Sequence, residues 1–152
     1  MRLHVVAVGR LKAGPHADLV RHYAERLTWP LSIREVEERR KLSPAELKER
    51  EGALLLSAVP PGAMIIALDE HGTVLTSDAF AQRLQRWRSD GVGDVAFLIG
   101  GADGLSAAVR EQAALQLSFG AMTWPHLLVR GMLVEQLYRA QQILAGHPYH
   151  RG

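Results

Sequence analysis

"VAFLIGGADGLS", residues 95–106, carries the first firm statement about this chain. Its opening five residues are apolar without alternation, as in a strand buried on both faces. Two glycines follow at once, and Ser106 stands where it can cap a short helix running to about Ala114. Strand, glycine turn and helix start occur in this order where open α/β sheets bind ligands, in the crevice beyond the carboxyl ends of the strands. Gly100 and Gly101 would let a ligand come close to the backbone. The loop lacks the Gly-Lys-Ser/Thr ending of a phosphate-binding P-loop. Just upstream, "GVGDVA" (91–96) has the nominal spacing of a dinucleotide fingerprint. It precedes a strand instead of following one, so that reading fails.

Working outward, the same pattern recurs. Leu3–Val8, Leu31–Val36, Ala63–Leu68 and "LQLSFG" (115–120) read as further strands. A helix from His16 to Leu27 ends before Trp29-Pro30. A second is opened by Ser43, Pro44 and Glu46 as a capping box and stops near Ala58, before Pro60-Pro61-Gly62. "DEHG" (69–72) is expected to close the third strand, and Ser77 to cap a helix from Asp78 to about Arg88. The pattern predicts a single α/β domain over residues 1–152, with a mostly parallel sheet flanked by helices. The last helix, from about His126 to Ala145, is apolar on more than one face, at Leu128, Met132, Leu133, Leu137 and Tyr138 among others. Such a helix needs more than one burial surface. Its own sheet is one, and a second subunit is the expected other, giving a homodimer.

The 152 residues include no cysteine, which excludes disulfides, thiolate metal sites and a Cys nucleophile. His147 and His150 form H-x-x-H with Pro148 between them. Zinc takes three or four protein ligands, so no metal is expected. There is no G-x-S-x-G nucleophile elbow. The first apolar run is too short for a signal peptide and no stretch approaches a membrane span, so a cytoplasmic protein without membrane contact is expected. Net charge is +2 and the sequence pI about 9.3, a mildly basic balance. The basic excess lies early, and Arg39, Arg40 and Lys41 form a basic loop suited to RNA phosphates.

Three segments can converge at the strand ends: "ALDEHG" (67–72), "IGGADG" (99–104) and "FGAMTWPH" (119–126). Together they are apolar and rich in glycine, with few cations to meet phosphates. That suits an adenosine ligand without a polyphosphate, and S-adenosylmethionine better than ATP or NAD.

"IGGADGLS", "SFGAMTWPHLLVRGMLVEQLYRA", the final "GHPYHR" and the opening "LHVVAVGRLK" together resemble the ribosomal RNA large-subunit methyltransferase H family of the SPOUT superfamily. The similarity spans the whole chain, and the four motifs in order are far more specific than any one. The resemblance implies an α/β fold with a C-terminal trefoil knot, a rarity among folds, and a homodimer. It implies transfer of a methyl group from S-adenosylmethionine to N3 of a pseudouridine in helix 69 of 23S ribosomal RNA, on the assembled 70S ribosome. Matched by motif, the cofactor contacts would be Leu68, Gly100 and Gly101 in the glycine loop, and Gly120, Ala121, Met122, Thr123, Trp124 and Pro125. The sequence departs from the family near Gly120, where serine is commoner, and at Trp124, where a smaller aliphatic residue is usual.

Under that reading the final residues acquire roles. His150 is the expected base or proton relay. Arg151 and Arg139 are the expected cations for an imide anion or nearby phosphates, and Tyr149 can stack on a splayed base. Pro148 limits the freedom of the tail. The alternatives are a SPOUT-type methyltransferase acting on tRNA and a ribosome-binding module without chemistry.

Overall fold

The computed structural model describes residues 1–152. Strands β1 (Arg2–Val8), β2 (Leu31–Val36), β3 (Met64–Val74), β4 (Asp94–Ile99) and β5 (Leu115–Ser118) form one sheet in the order β2-β1-β4-β3-β5. Every neighbouring pair is parallel. Helices α1 (Pro15–Ala24), α2 (Pro44–Ser57), α3 (Ser77–Ser89), α4 (Ala107–Gln112) and α5 (His126–Leu144) connect and follow them.

Alternation along each strand divides the core between the two faces. Leu3, Val5, Val95 and Phe97 pack with Phe80 and Leu84 of α3 and with Leu133 and Leu137 of α5. Val6, Val8, Ala96 and Leu98 pack on the other face with Leu55 of α2 and Val109 of α4. Central β4 is therefore apolar at successive positions because helices cover both its sides. Each large side chain so buried contributes about 1.5–3 kcal/mol.

Local capping agrees with the sequence at Ser43 and Ser106. Ser43 Oγ accepts the Glu46 N–H at 3.2 Å, but the Glu46 carboxylate takes the Ser43 hydroxyl at 2.7 Å and not the backbone N–H that completes a capping box. Ser106 Oγ accepts the Val109 N–H. The cap of α3 is one residue earlier than expected. Thr76 Oγ1 takes the Ala79 N–H at 3.0 Å, while the Ser77 hydroxyl donates to Gln136 of α5 at 2.8 Å.

The main departure is β3. Residues 69–72 do not close the strand, which continues to Val74. Leu68 and Thr73 both face Leu117 of β5, so the intervening residues bulge out of the ladder. Gly72 permits this, since a Cβ there would stand 2.4 Å from the Gln116 carbonyl oxygen. The Asp69 carboxylate steadies the bulge by accepting the His71 N–H at 2.9 Å.

The basic loop is not a bare cationic arm. Glu38 accepts from both Arg40 and Arg50, and Arg10 and Arg39 lie near Glu37. Hydrogen bonds from Arg40, then Arg50, hold the Glu38 carboxyl at a pKa of about 2. No helix is long and apolar enough to cross a membrane.

Candidate functional site

A cavity of about 370 Å³ opens where β3, β4 and β5 end. Its walls are Leu68 and the bulge Asp69–His71, the turn from Ile99 to Leu105, the loop after β5, and His126 and Val129 at the start of α5. Of the expected cofactor residues, Leu68, Gly100, Gly101, Gly120, Met122, Thr123 and Trp124 line it. Ala121 and Pro125 belong to the same loop but do not face the cavity.

Backbone geometry explains the glycines. The turn folds back on itself, with the Gly104 N–H donating to the Gly101 carbonyl at 3.1 Å. A Cβ on Gly100 would stand 2.8 Å from the Gly104 oxygen. Gly120 has φ +117°, which side chains avoid, and open space where a Cβ would be. The loop beyond it is fastened at both ends. Ser118 Oγ accepts the Gly120 N–H at 3.1 Å, and the Thr123 hydroxyl donates to Glu70 at 3.0 Å. Trp124 and Met122 leave large apolar surfaces exposed at the mouth.

Acids and bases line the same space. Asp69, Glu70 and Asp103 line it together with Lys48 and Arg110, and the Arg110 guanidinium lies 3.8 Å from the Asp69 carboxylate. Burial, and then the charge of nearby Arg130, push His126 below its ordinary pKa and so disfavour its protonated form. Arg130 is fully buried and donates to Glu35 at 2.6 Å and to the Gly9 carbonyl at 3.1 Å. Glu35 also accepts the Leu11 N–H at 2.7 Å. Partial burial opposes its charge, but those donors outweigh it and hold Glu35 below the ordinary range. The β1–α1 turn is thereby pinned to α5 beside the cavity. Apolar walls, glycine backbone and several carboxylates fit an adenosine ligand bearing positive charge. No group of three His, Asp or Glu is placed to hold a metal ion.

The tail lies elsewhere. None of Arg139, Tyr149, His150 and Arg151 lines the cavity. Tyr149 packs edge-on against Tyr138 and lies over the Arg139 guanidinium, 4.8 Å in each case. Its hydroxyl donates to Glu135 at 3.1 Å. Burial, then Tyr23 and the Glu135 carboxylate, hold that hydroxyl well above its ordinary pKa. Glu135 also binds Arg139 at 2.9 and 2.6 Å. His150 sits between Arg139 and Asp78, and Arg151 is exposed.

A second groove of about 430 Å³ adjoins this network. Leu19, Tyr23, Val74, Met132 and Glu135 line it, and it shares Leu117, Phe119 and Gly120 with the first cavity. Cavity and groove thus stand on two sides of one wall, and the tail reaches the groove through its bond to Glu135.

Sequence reading passed over Glu135, Asp78, Glu70 and His126. "WPH" does place a histidine at the first position of a helix, which was a usable signal. The partners of Asp78 and Glu70 are far away in the chain and left none.

The family model described as "Predicted SPOUT methyltransferase" matches residues 1–150. Ribosomal RNA large subunit methyltransferase H of Rhodospirillum centenum is 61% identical over 151 residues, covering 99% of each chain. The protein of the same name from Paramagnetospirillum magneticum is 59% identical with the same coverage. Among solved structures, the SpoU methyltransferase AviRb of Streptomyces viridochromogenes in complex with AdoMet superposes with a TM-score of 0.51 at 18% identity. It covers 94% of this chain, which spans 61% of that one. A probable methylase family protein of Haemophilus influenzae gives a TM-score of 0.55 at 12% identity, covering 95% of this chain and 66% of the other. These distant likenesses concern the fold.

Proposed function

The chain belongs to the SPOUT methyltransferase family and, within it, to the ribosomal RNA large subunit methyltransferase H family; from that membership we propose that it methylates N3 of a pseudouridine in helix 69 of 23S ribosomal RNA, on the assembled ribosome, using S-adenosylmethionine. The observation that carries the reading is the glycine-built cavity at the ends of β3, β4 and β5, whose lining includes Leu68, Gly101, Gly120, Met122, Thr123 and Trp124. The bound cofactor would supply an electrophilic methyl group. Leu68, Leu117 and Trp124 would pack on the adenine, and the carboxylates of Asp69, Glu70 and Asp103 would offset the positive charge.

The tail supplies the rest. The target nitrogen is an imide N–H that must lose its proton to react. Arg139 is held by Glu135 on Nε and Nη2, so its Nη1 is aimed in advance. Nη1 carries two hydrogens. One meets His150, and the other is left for a carbonyl oxygen of the imide anion. The Nδ1 lone pair of His150 would leave Nη1 to take the imide proton, and the charge that develops on the carbonyl oxygen would be met by the remaining Nη1 hydrogen. Tyr149 and Arg151 would hold the base and its phosphates.

Tail and cavity do not meet within one chain, so the reading includes a homodimer in which one protomer's tail faces its partner's cavity. The groove bounded by Val74, Met132 and Tyr23 is the surface for that second copy. The return of α5 between α1 and α3 after edge strand β5 accords with the trefoil knot of the family. Lys12 and Lys41, exposed and in no ion pair, are the cations for ribosomal phosphates, and the setting is the bacterial cytoplasm.

The test uses methyl-labelled S-adenosylmethionine offered with 70S ribosomes, free large subunits, naked 23S RNA and tRNA, all lacking the modification. Mass spectrometry of the digested RNA locates the label. Label on one pseudouridine of the 70S ribosome is the expected result. Label on tRNA would move the substrate, and cofactor binding with no label anywhere would leave a binding module.

A further inference from the structure

Glu51 is a buried acid without a partner. It lies in the middle of α2, only 8% exposed, and its Oε1 is sealed from solvent with no hydrogen bond. Enclosing a polar group unpaired is costly, so its surroundings should show a reason. A Cβ built on Gly101 would stand 3.1 Å from each Glu51 oxygen and 3.2 Å from a methyl of Val8. The carboxyl therefore fills the side-chain space of Gly101, behind the glycine turn. The next residue repeats the arrangement at the turn's far end, since a Cβ on Gly52 would stand 2.2 Å from Ser106 Oγ. Two successive residues of α2 thus seat both ends of the segment 101–106. One turn earlier, Lys48 lines the cavity itself.

We propose that Glu51 is a positioning residue for the cofactor, bracing Gly101 from behind and so fixing the height of the Gly100–Gly104 turn in the cavity. The inference rests on the cofactor reading above and adds a residue to it. Glu51 acts through the Gly101 backbone and touches no reacting atom. Its neutral form is the fitting one. Burial and the Asp103 charge on the same turn both favour the proton, and an ionised carboxylate would be repelled from the turn it supports. An amide of the same shape should serve equally well. A shorter side chain would leave a gap into which the turn can sink.

The experiment titrates S-adenosylmethionine calorimetrically into the wild-type chain, Glu51→Gln, Glu51→Ala and Glu51→Asp, with thermal melts of each and steady-state kinetics on ribosomes. Loss of the brace should weaken cofactor binding roughly tenfold or more, as expected for an ångström-scale misplacement. Glu51→Ala and Glu51→Asp should show it as a raised cofactor KM with kcat nearly kept, and Glu51→Gln should rescue it. If Glu51→Ala does not fold, Glu51→Asp reads the same effect. Wild-type affinity in the folded short variants would overturn the inference, as would a loss in Glu51→Gln equal to theirs. A wild-type chain that binds no S-adenosylmethionine would overturn the cofactor reading and this inference with it. Normal wild-type binding alongside unaffected variants would overturn this inference alone.

Discussion

Nη1 of Arg139 donates to Nδ1 of His150 across 3.0 Å, and that contact fixes the state of the ring. A guanidinium can only donate, so Nδ1 offers its lone pair and the proton sits on Nε2. Nε2 faces the Asp78 carboxylate at 3.3 Å. The final residues are therefore not a frayed end. They are tied to α5 through Glu135, Tyr138 and Arg139, and to the first turn of α3 through Asp78.

Because these ties lie outside the core, the tail should separate from the fold in experiment. Removing residues 149–152 should leave the melting temperature and cofactor affinity nearly unchanged and abolish methyl transfer. Arg139→Lys should slow transfer about 100-fold or more, since an ammonium cannot hold Glu135 with two arms while presenting a third. Single-turnover transfer to ribosomes, run beside calorimetric titration of the cofactor, separates the two effects. Normal transfer by the truncated chain would remove the tail from the mechanism.

The α1–α5 seam offers a test in which local and tertiary preferences oppose each other. Gly131 is inside α5, where alanine would normally gain about 1 kcal/mol. Here a Cβ would stand 2.6 Å from Leu19 Cδ2 and 2.9 Å from its Cγ. Gly131→Ala should instead destabilise by about 1–3 kcal/mol, the usual cost of overpacking. Adding Leu19→Ala should cost less in the Gly131→Ala background than in the wild type. Urea unfolding of the four proteins closes the cycle, and simple additivity would show that the seam yields freely.

Much of this was legible in the chain because it is local. The unbroken apolar run Val95–Ile99 reports a strand covered on both sides, and β4 is that strand. Ser43 and Ser106 cap the helices they precede. The β3 bulge was not legible, because Leu68 and Thr73 share one partner in β5, and no periodicity within β3 records that. Separation of the tail from the cavity was invisible for the same reason. Motif order says that Gly101 and His150 belong to one family pattern and nothing of the wall of Leu117, Phe119 and Gly120 between their neighbourhoods. Nothing in the sequence singles out Arg130 or Glu51, and only the packing of other elements over α5 and α2 buries them.

Arg130 should be costly to remove. Its guanidinium is 1% exposed and pairs with Glu35, itself about one third exposed, while also holding the Gly9 carbonyl. Truncation strands the Glu35 charge and frees the β1–α1 turn. Arg130→Ala should lose about 3 kcal/mol, the lower end for a broken buried pair because water can reach Glu35. Arg130→Met with Glu35→Gln should recover part of that loss. Chemical denaturation measures both, and an Arg130→Ala loss below about 1 kcal/mol would mean that the pair does not hold the turn.

The unpartnered acid also makes a statement about pH. Burial and Asp103 raise the Glu51 pKa in the folded chain, so the folded state keeps a proton that the unfolded chain gives up. Stability contributed at this site is therefore fully present below the ordinary glutamate range and falls as pH rises through it toward the folded value. Asp94 runs the other way. Hydrogen bonds from Arg2 and His4 lower its pKa, so its contribution is present at neutral pH and is lost in acid. Comparing Glu51→Gln with the wild type isolates Glu51, because Asp94 titrates alike in both proteins and cancels in the difference. Glu51→Gln should melt at a higher temperature than the wild type at pH 8, and the gain should vanish near pH 4, where both side chains are neutral. Melts at the two pH values decide the matter: an equal gain at both would assign it to packing, and a gain only in acid would reverse the sign of the Glu51 shift.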